Sequence, residues 1–211
     1  MRVLFQGDSI TDASRSRETD NNPGLGYPNL IKSQLMFEYP GEYEFFNRGI
    51  SGNRVTDLLA RMKVDMINLK PDVMSILIGV NDVWHEVDRE PARKNGVRAD
   101  FYETIYNLLI SELKSALPTL RIMIMEPFVL EASATQAHWE EFKREVTLRA
   151  EAAKRVAQKN GLEYIPLQEK FDEACQKQPA DYWLIDGVHP TAAGHELIAR
   201  EWIKVFQQGN H

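Results

Sequence analysis

The sequence predicts a three-layer α/β/α sandwich built on a central five-stranded parallel sheet. Three observations predict it. Five short apolar, β-rich runs recur along the chain, stretches with helical spacing lie between them, and two of the five runs are almost continuously apolar. A strand covered by helices on both faces loses the in–out alternation of a half-exposed strand. Strand alternating with helix implies right-handed crossovers, and therefore parallel strands with helices on both faces.

Val3-Leu4-Phe5 is the first strand candidate and Glu44-Phe45-Phe46 the second. The near-continuous runs are Val73-Met74-Ser75-Ile76-Leu77-Ile78 and Ile122-Met123-Ile124-Met125, and Glu163-Tyr164-Ile165 is the fifth strand. Between the third and fourth, Phe101, Ile105, Leu108, Leu109 and Leu113 repeat at helical spacing; Trp139, Phe142, Val146, Ala150 and Ala153 do so between the fourth and fifth. The closing helix places Ile198, Trp202, Val205 and Phe206 on one stripe. All three stripes are expected to face the core.

A chain of 211 residues, 43% apolar and 27% charged, suits one globular domain spanning residues 1–211, and no Gly/Ser-rich or Pro-rich linker divides it. Its 25 basic and 31 acidic residues give a net charge of −6. No basic block offsets that balance, so neither nucleic acid nor an acidic membrane is expected as a partner. The lone Cys175 falls in a helical stretch and reads as a structural thiol. Met1-Arg2-Val3-Leu4-Phe5 enters a strand directly, without a signal-peptide pattern, and no long apolar span follows. The expectation is a cytoplasmic protein, with a homo-oligomer left open.

In open parallel sheets, ligands bind beyond the carboxyl ends of the strands. Four segments are therefore expected at one edge: Gly7 to Thr11, Asn47 to Asn53, Gly79 to Asp82, and Asp186 to Pro190. They carry Ser9, two glycines (Gly49 and Gly52), Asn81, and the pair Asp186 and His189. Serine is a weak nucleophile at neutral pH and needs a base, and the base needs a carboxylate to fix its tautomer. Glycine N–H groups and an asparagine amide are natural donors to an oxyanion. Singly, each residue is an ordinary cap or turn former; together at one edge they form a catalytic set. No cofactor is expected. No two of His85, His138, His189, His195 and His211 form a His-x-His or His-x-x-x-His pair, and there is no Gly-x-x-x-x-Gly-Lys loop. His85 reads as a loop residue, with pocket lining as its other reading, and His195 as a helix-surface or packing residue.

Gly7-Asp8-Ser9-Ile10, Asn47-Arg48-Gly49-Ile50-Ser51-Gly52-Asn53, Gly79-Val80-Asn81-Asp82 and Asp186-Gly187-Val188-His189-Pro190 together resemble the four blocks of the SGNH hydrolases, the GDSL esterase/lipase family. The order and spacing of the blocks span almost the whole chain, and Ile10 for leucine is the one departure. The Gly-x-Ser-x-Gly elbow of α/β-hydrolases is absent. The resemblance implies a flavodoxin-like SGNH hydrolase fold and a Ser9–His189–Asp186 triad. It also implies an oxyanion hole from the Ser9 and Gly52 N–H groups and the Asn81 amide. Asp8, Thr11, Asp12 and Asp82 are expected to stiffen the loops by hydrogen bonding.

The stretches Asn47–Val55 and Ile76–Trp84 are most similar to compact bacterial members that remove acetyl groups from carbohydrate, of the acetylxylan esterase type. The implied substrate is a small-molecule or oligosaccharide ester. A thioesterase or lysophospholipase is the alternative in the same fold, and a non-catalytic binding module the alternative of another class. Trp84 and Trp183 offer flat faces that stack on a sugar ring. The loops expected to flank the site, Val83 to Arg98 and Pro127 to Ala137, are mixed and charged, with Asp88, Arg89, Glu90, Arg93 and Lys94, and no long apolar insertion offers a slot for a long acyl chain.

Overall fold

A computed structural model describes residues 1–209; His211 lies outside the described residues. Its sheet contains β1 (Arg2–Gly7), β2 (Glu44–Asn47), β3 (Val73–Leu77), β4 (Arg121–Met125) and β5 (Glu163–Ile165). They lie in the order β2-β1-β3-β4-β5 and every pairing is parallel. The five strand candidates are the five strands, with ends moved by a residue or two. β1 is an interior strand: Val3 sits beside Phe45 on one flank and Val73 on the other.

Alternate strand residues feed two cores. Val3, Phe5, Val73, Met123 and Met125 pack beneath α2 (Tyr27–Glu38), α7 (Gln168–Cys175) and α9 (Ala192–Gln208). Leu4, Met74, Ile76, Ile122 and Ile124 pack beneath α3 (Val55–Asp65), α5 (Ala99–Ala116) and the second half of α6 (Trp139–Asn160). Burial on both faces explains the near-continuous apolarity of β3 and β4.

Two helical expectations need correction. Phe101 and Leu108 are 48% and 46% exposed, whereas Tyr102, Tyr106 and Ile110 are fully buried in their place. The stripe of α5 is rotated from the one drawn by hydropathy, because tyrosine is apolar over most of its surface and its hydroxyl can find a partner inside. Tyr102 does so, donating to the Ile78 carbonyl at 3.0 Å. The segment from Val83 is not loop at its start either: α4 (Val80–Val87) continues through it. The chain reverses through two further short helices, α1 (Ser9–Asp12) and α8 (Ala180–Trp183). Among the described residues no helix is long and apolar enough to cross a membrane.

Candidate active site

Ser9 is the first residue of α1, directly beyond β1. The turn is held by Asp8, whose Oδ1 accepts the Ile10 N–H at 3.0 Å as a helix cap. With the backbone so placed, the Ser9 N–H belongs to the first turn, where no intrahelical carbonyl can accept it.

Asp186 and His189 close a tight turn before α9. Leu184 and Pro190 bridge the turn, the Ile185 N–H donates to the His189 carbonyl at 2.8 Å, and Gly187 has φ +97°. A side chain at Gly187 would be strained at that φ and would run into the Leu130 carbonyl and Thr135. Asp186 Oδ1 accepts the N–H groups of Val188 (2.9 Å) and His189 (2.8 Å), and Oδ2 lies 2.7 Å from His189 Nδ1. His189 Nε2 is 2.9 Å from Ser9 Oγ. Sequence-distant ends of the chain thus meet in one hydrogen-bonded line.

The electrostatics follow from these contacts. Burial raises the Asp186 carboxyl, but the bonds from the His189 ring, the His189 N–H and the Val188 N–H outweigh it and hold it down to about 2. His189 is raised, chiefly by its bond to Asp186, against an opposing effect of burial. An ionised Asp186 fixes the proton on Nδ1, which leaves the Nε2 lone pair facing the Ser9 hydroxyl.

The second segment brings two glycines with different jobs. The Gly49 N–H already donates to Asn47 Oδ1 at 2.9 Å, and a side chain there would strike the α1 backbone at Thr11 and Asp12. Gly52 has φ +81°, and its N–H donates to nothing among the described residues. Gly49 is therefore a close-approach residue, and Gly52 has the free donor. Asn81, on the first turn of α4, is 7% exposed and donates one amide hydrogen to the Asn53 carbonyl at 3.2 Å. Its neighbour Asp82 accepts the Val55 N–H with both oxygens (3.1 and 3.3 Å), stapling α4 to the start of α3. Asp12 accepts from Arg17 and from the Ser51 N–H and hydroxyl, and Thr11 shares a hydrogen bond with Tyr27. These bonds brace the turns after β1, β2 and β3, the stiffening expected of Asp8, Thr11, Asp12 and Asp82.

Ser9, Ser51, Gly52, Asn81, Trp84, His85, Asp88, Arg89 and His189 line an open pocket of about 400 Å³. A groove of about 610 Å³ adjoins it, sharing Asp88 and Arg89. Trp84 stands against the His189 ring, centroids 5.7 Å apart, and its indole N–H donates to Asp88 at 3.0 Å. Trp183 is a correction. It lines a separate groove between α7 and α9 with Lys170, Leu197 and Arg200, because α8 turns its indole back toward the Gln178 carbonyl. His85, read as loop, lies on α4 and lines the pocket; burial, with Arg89 and Arg54 nearby, lowers its proton affinity. Asn81, Trp84, His85 and Asp88 stand at i, i+3, i+4 and i+7, one face of a helix. That spacing was the signal available for Asp88 and His85. His195 is 9% exposed, a packing residue whose Nδ1 accepts the Tyr27 N–H at 3.1 Å; burial lowers it to about 4.

Residues 5–197 match the GDSL-like lipase/acylhydrolase family. The chain is 33% identical, over 96% of its length and 92% of the relative's, to an acetylxylan esterase of Geobacillus stearothermophilus. Among solved structures, it resembles a protein described as a GDSL-like lipase from Parabacteroides merdae ATCC 43184 with a TM-score of 0.89 and 35% identity, covering 97% of this chain and 94% of that one. A variant of Axe2, an acetyl-xylooligosaccharide esterase from Geobacillus stearothermophilus, superposes with a TM-score of 0.86 at 33% identity, over 97% and 93% of the two chains.

Proposed function

Since the chain belongs to the GDSL-like lipase/acylhydrolase family and is a carboxylic ester hydrolase, we propose that it is a serine esterase that removes short acyl groups, acetyl above all, from carbohydrate such as xylo-oligosaccharides. The observation that carries this reading is the unbroken line from Ser9 Oγ through His189 to Asp186, with contacts of 2.9 and 2.7 Å.

In the first half-reaction Ser9 Oγ attacks the ester carbonyl carbon while its proton passes to His189 Nε2. The carbonyl oxygen becomes an oxyanion, held by the Ser9 and Gly52 N–H groups and by the Asn81 amide hydrogen not used by Asn53. Collapse breaks the bond to the sugar oxygen, which takes the proton from His189 and leaves as an alcohol. Water then gives its proton to His189 and attacks the acyl-Ser9 carbonyl. The second collapse returns that proton to Ser9 and releases the acid.

Short acyl groups suit the pocket because Trp84 is the one large apolar side chain lining it, beside Ser51, Asn81, His85, Asp88 and Arg89. Each methylene of a longer chain is worth only about 0.8 kcal/mol, and only where apolar surface covers it. Trp84 supplies one flat face, and the adjoining groove leaves room for the sugar. The acetylxylan substrate named for the Geobacillus relative supports the same class.

The test compares kcat/KM for acetyl, butyryl and octanoyl esters of one alcohol, then for an acetylated xylo-oligosaccharide, with Ser9→Ala as control. Acetyl should lead, and Ser9→Ala should lose about 10⁴–10⁶ in kcat. A faster octanoyl ester, or a thioester that outruns every oxygen ester, would move the protein to a lysophospholipase or thioesterase role. Failure of a serine-directed phosphonate to label Ser9 would favour a binding module.

A further inference from the structure

We propose that Asp8, the residue before Ser9, is a positioning residue whose buried carboxylate stabilises the protonated His189 that forms when Ser9 gives up its proton. The proposal rests on the serine-esterase reading above and adds a fourth side chain to it.

Asp8 is 1% exposed. One of its oxygens caps α1 through Ile10, and the other, Oδ2, has no hydrogen-bond partner among the described residues. Two neighbouring carboxylates are better satisfied: Asp186 holds three donors, and Asp12 takes Arg17 and Ser51. Asp82, like Asp8, has one donor, but it shares the Val55 N–H between both oxygens. A buried carboxylate with a free oxygen is costly unless a positive charge comes near it.

The groups that face Asp8 decide where that charge is felt. From α4 come the Asn81 amide and Asp82, a like charge that Asp8 helps to keep protonated. From α2 comes Tyr27, a phenol that burial and Asp8 together keep neutral. Arg61 of α3 reaches the Gly7 carbonyl at 3.2 Å, but its charge is matched by Asp65 at 3.0 Å. From the turn before α9 comes His189, whose Nε2 lies 2.9 Å from the hydroxyl of Ser9, the residue that follows Asp8. A new positive charge arises in this group at His189, and it arises in the transition state.

Burial raises Asp8 to about 7, opposed by the Ile10 N–H and by the charge of His189. Asp8 in turn is one of the groups that raise His189. Two sites that respond to one another titrate as a pair. Each proton that His189 takes from Ser9 favours an ionised Asp8, and each proton passed to the leaving alcohol releases it. Asp8 exchanges no proton with the substrate and touches none of the reacting atoms. Its contribution is selective for the state with a charged imidazole, which is the kind of interaction that raises kcat.

Asp8→Asn separates charge from architecture, since asparagine caps a helix as well as aspartate. The pH dependence of kcat/KM on an acetyl ester should show the acid limb shifted down by roughly half to one pH unit, with kcat at pH 8 lower by about tenfold. Asp8→Ser, a second neutral cap, should do the same. The His189 ring proton followed by NMR in Ser9→Ala and in Ser9→Ala/Asp8→Asn should move to lower pH by a matching amount. A loss of activity with limb and resonance unmoved would reduce Asp8 to a cap and overturn the proposal, as would no change in rate or limb. Failure of the esterase reading is distinct: wild type would then not turn over the acetyl ester through Ser9 at all.

Discussion

Replacing Asp186 by asparagine changes one atom and should silence His189. Asp186 Oδ1 accepts two backbone N–H groups and Oδ2 faces His189 Nδ1 at 2.7 Å. In the variant, the two backbone donors retain the remaining oxygen, so the new amide nitrogen faces Nδ1. Two donors cannot share that contact, so the imidazole carries its proton on Nε2, aimed at Ser9. A base in the wrong tautomer costs about 10⁴ in kcat, equivalent to roughly 5.5 kcal/mol of barrier. Stability falls as well. The gap between the usual 3.8 and about 2 corresponds to about 2.4 kcal/mol, and with the side chain 24% exposed, screening reduces this to roughly 1–2 kcal/mol. The folded carboxyl is depressed, so its contribution is complete above the unfolded value and disappears as pH falls through 2. Urea unfolding at pH 7 and at pH 3, beside pre-steady-state acyl transfer at pH 8, measures both effects. A variant within tenfold of wild type in kcat, with the wild-type fold, would show that Asp186 does not set the tautomer and would refute the reasoning.

Three further outcomes follow from the same geometry. Asn81→Ala should keep the fold and lose about 10²–10³ in kcat, the scale of one oxyanion donor; a loss confined to KM would make Asn81 a binding residue only. Because its bond to Asp186 raises His189 above 6.5, activity should climb with pH through a limb above that value, and a flat profile between pH 5 and 8 would exclude a histidine base. Burial lifts Asp82 to about 7, so folding opposes its ionisation increasingly as pH rises from 3.8. The urea midpoint of Asp82→Asn relative to wild type should therefore improve between pH 5 and pH 8, and a difference independent of pH would count against a strained carboxyl there.

The parts of this molecule that could be read from the sequence are those where chemistry or burial demands a residue type. β3 and β4 must be largely apolar on both faces, and apart from the buried Ser75 and the opening Arg121 they are. Ser9, Asn81, Asp186 and His189 sit where the backbone leaves a strand or turns before a helix, so their loops were legible as well. Direction was not. Residue identity does not say that α8 turns Trp183 toward the Gln178 carbonyl, or that Tyr102 rather than Phe101 enters the core by finding the Ile78 carbonyl. Residue types alone do not separate Gly49 from Gly52 either, and only the family resemblance placed the donor on Gly52. That choice is made by Asn47, whose side chain takes the Gly49 N–H, and by a positive φ at Gly52 that leaves its N–H without a partner. Periodicity carried one further message. From Asn81 the helix runs on to Val87, so the steps to Trp84, His85 and Asp88 extend the face bearing the amide into the wall beside Ser9. Once α4 is known to be helical there, an asparagine in its first turn predicts which of the following residues line the pocket beside Ser9.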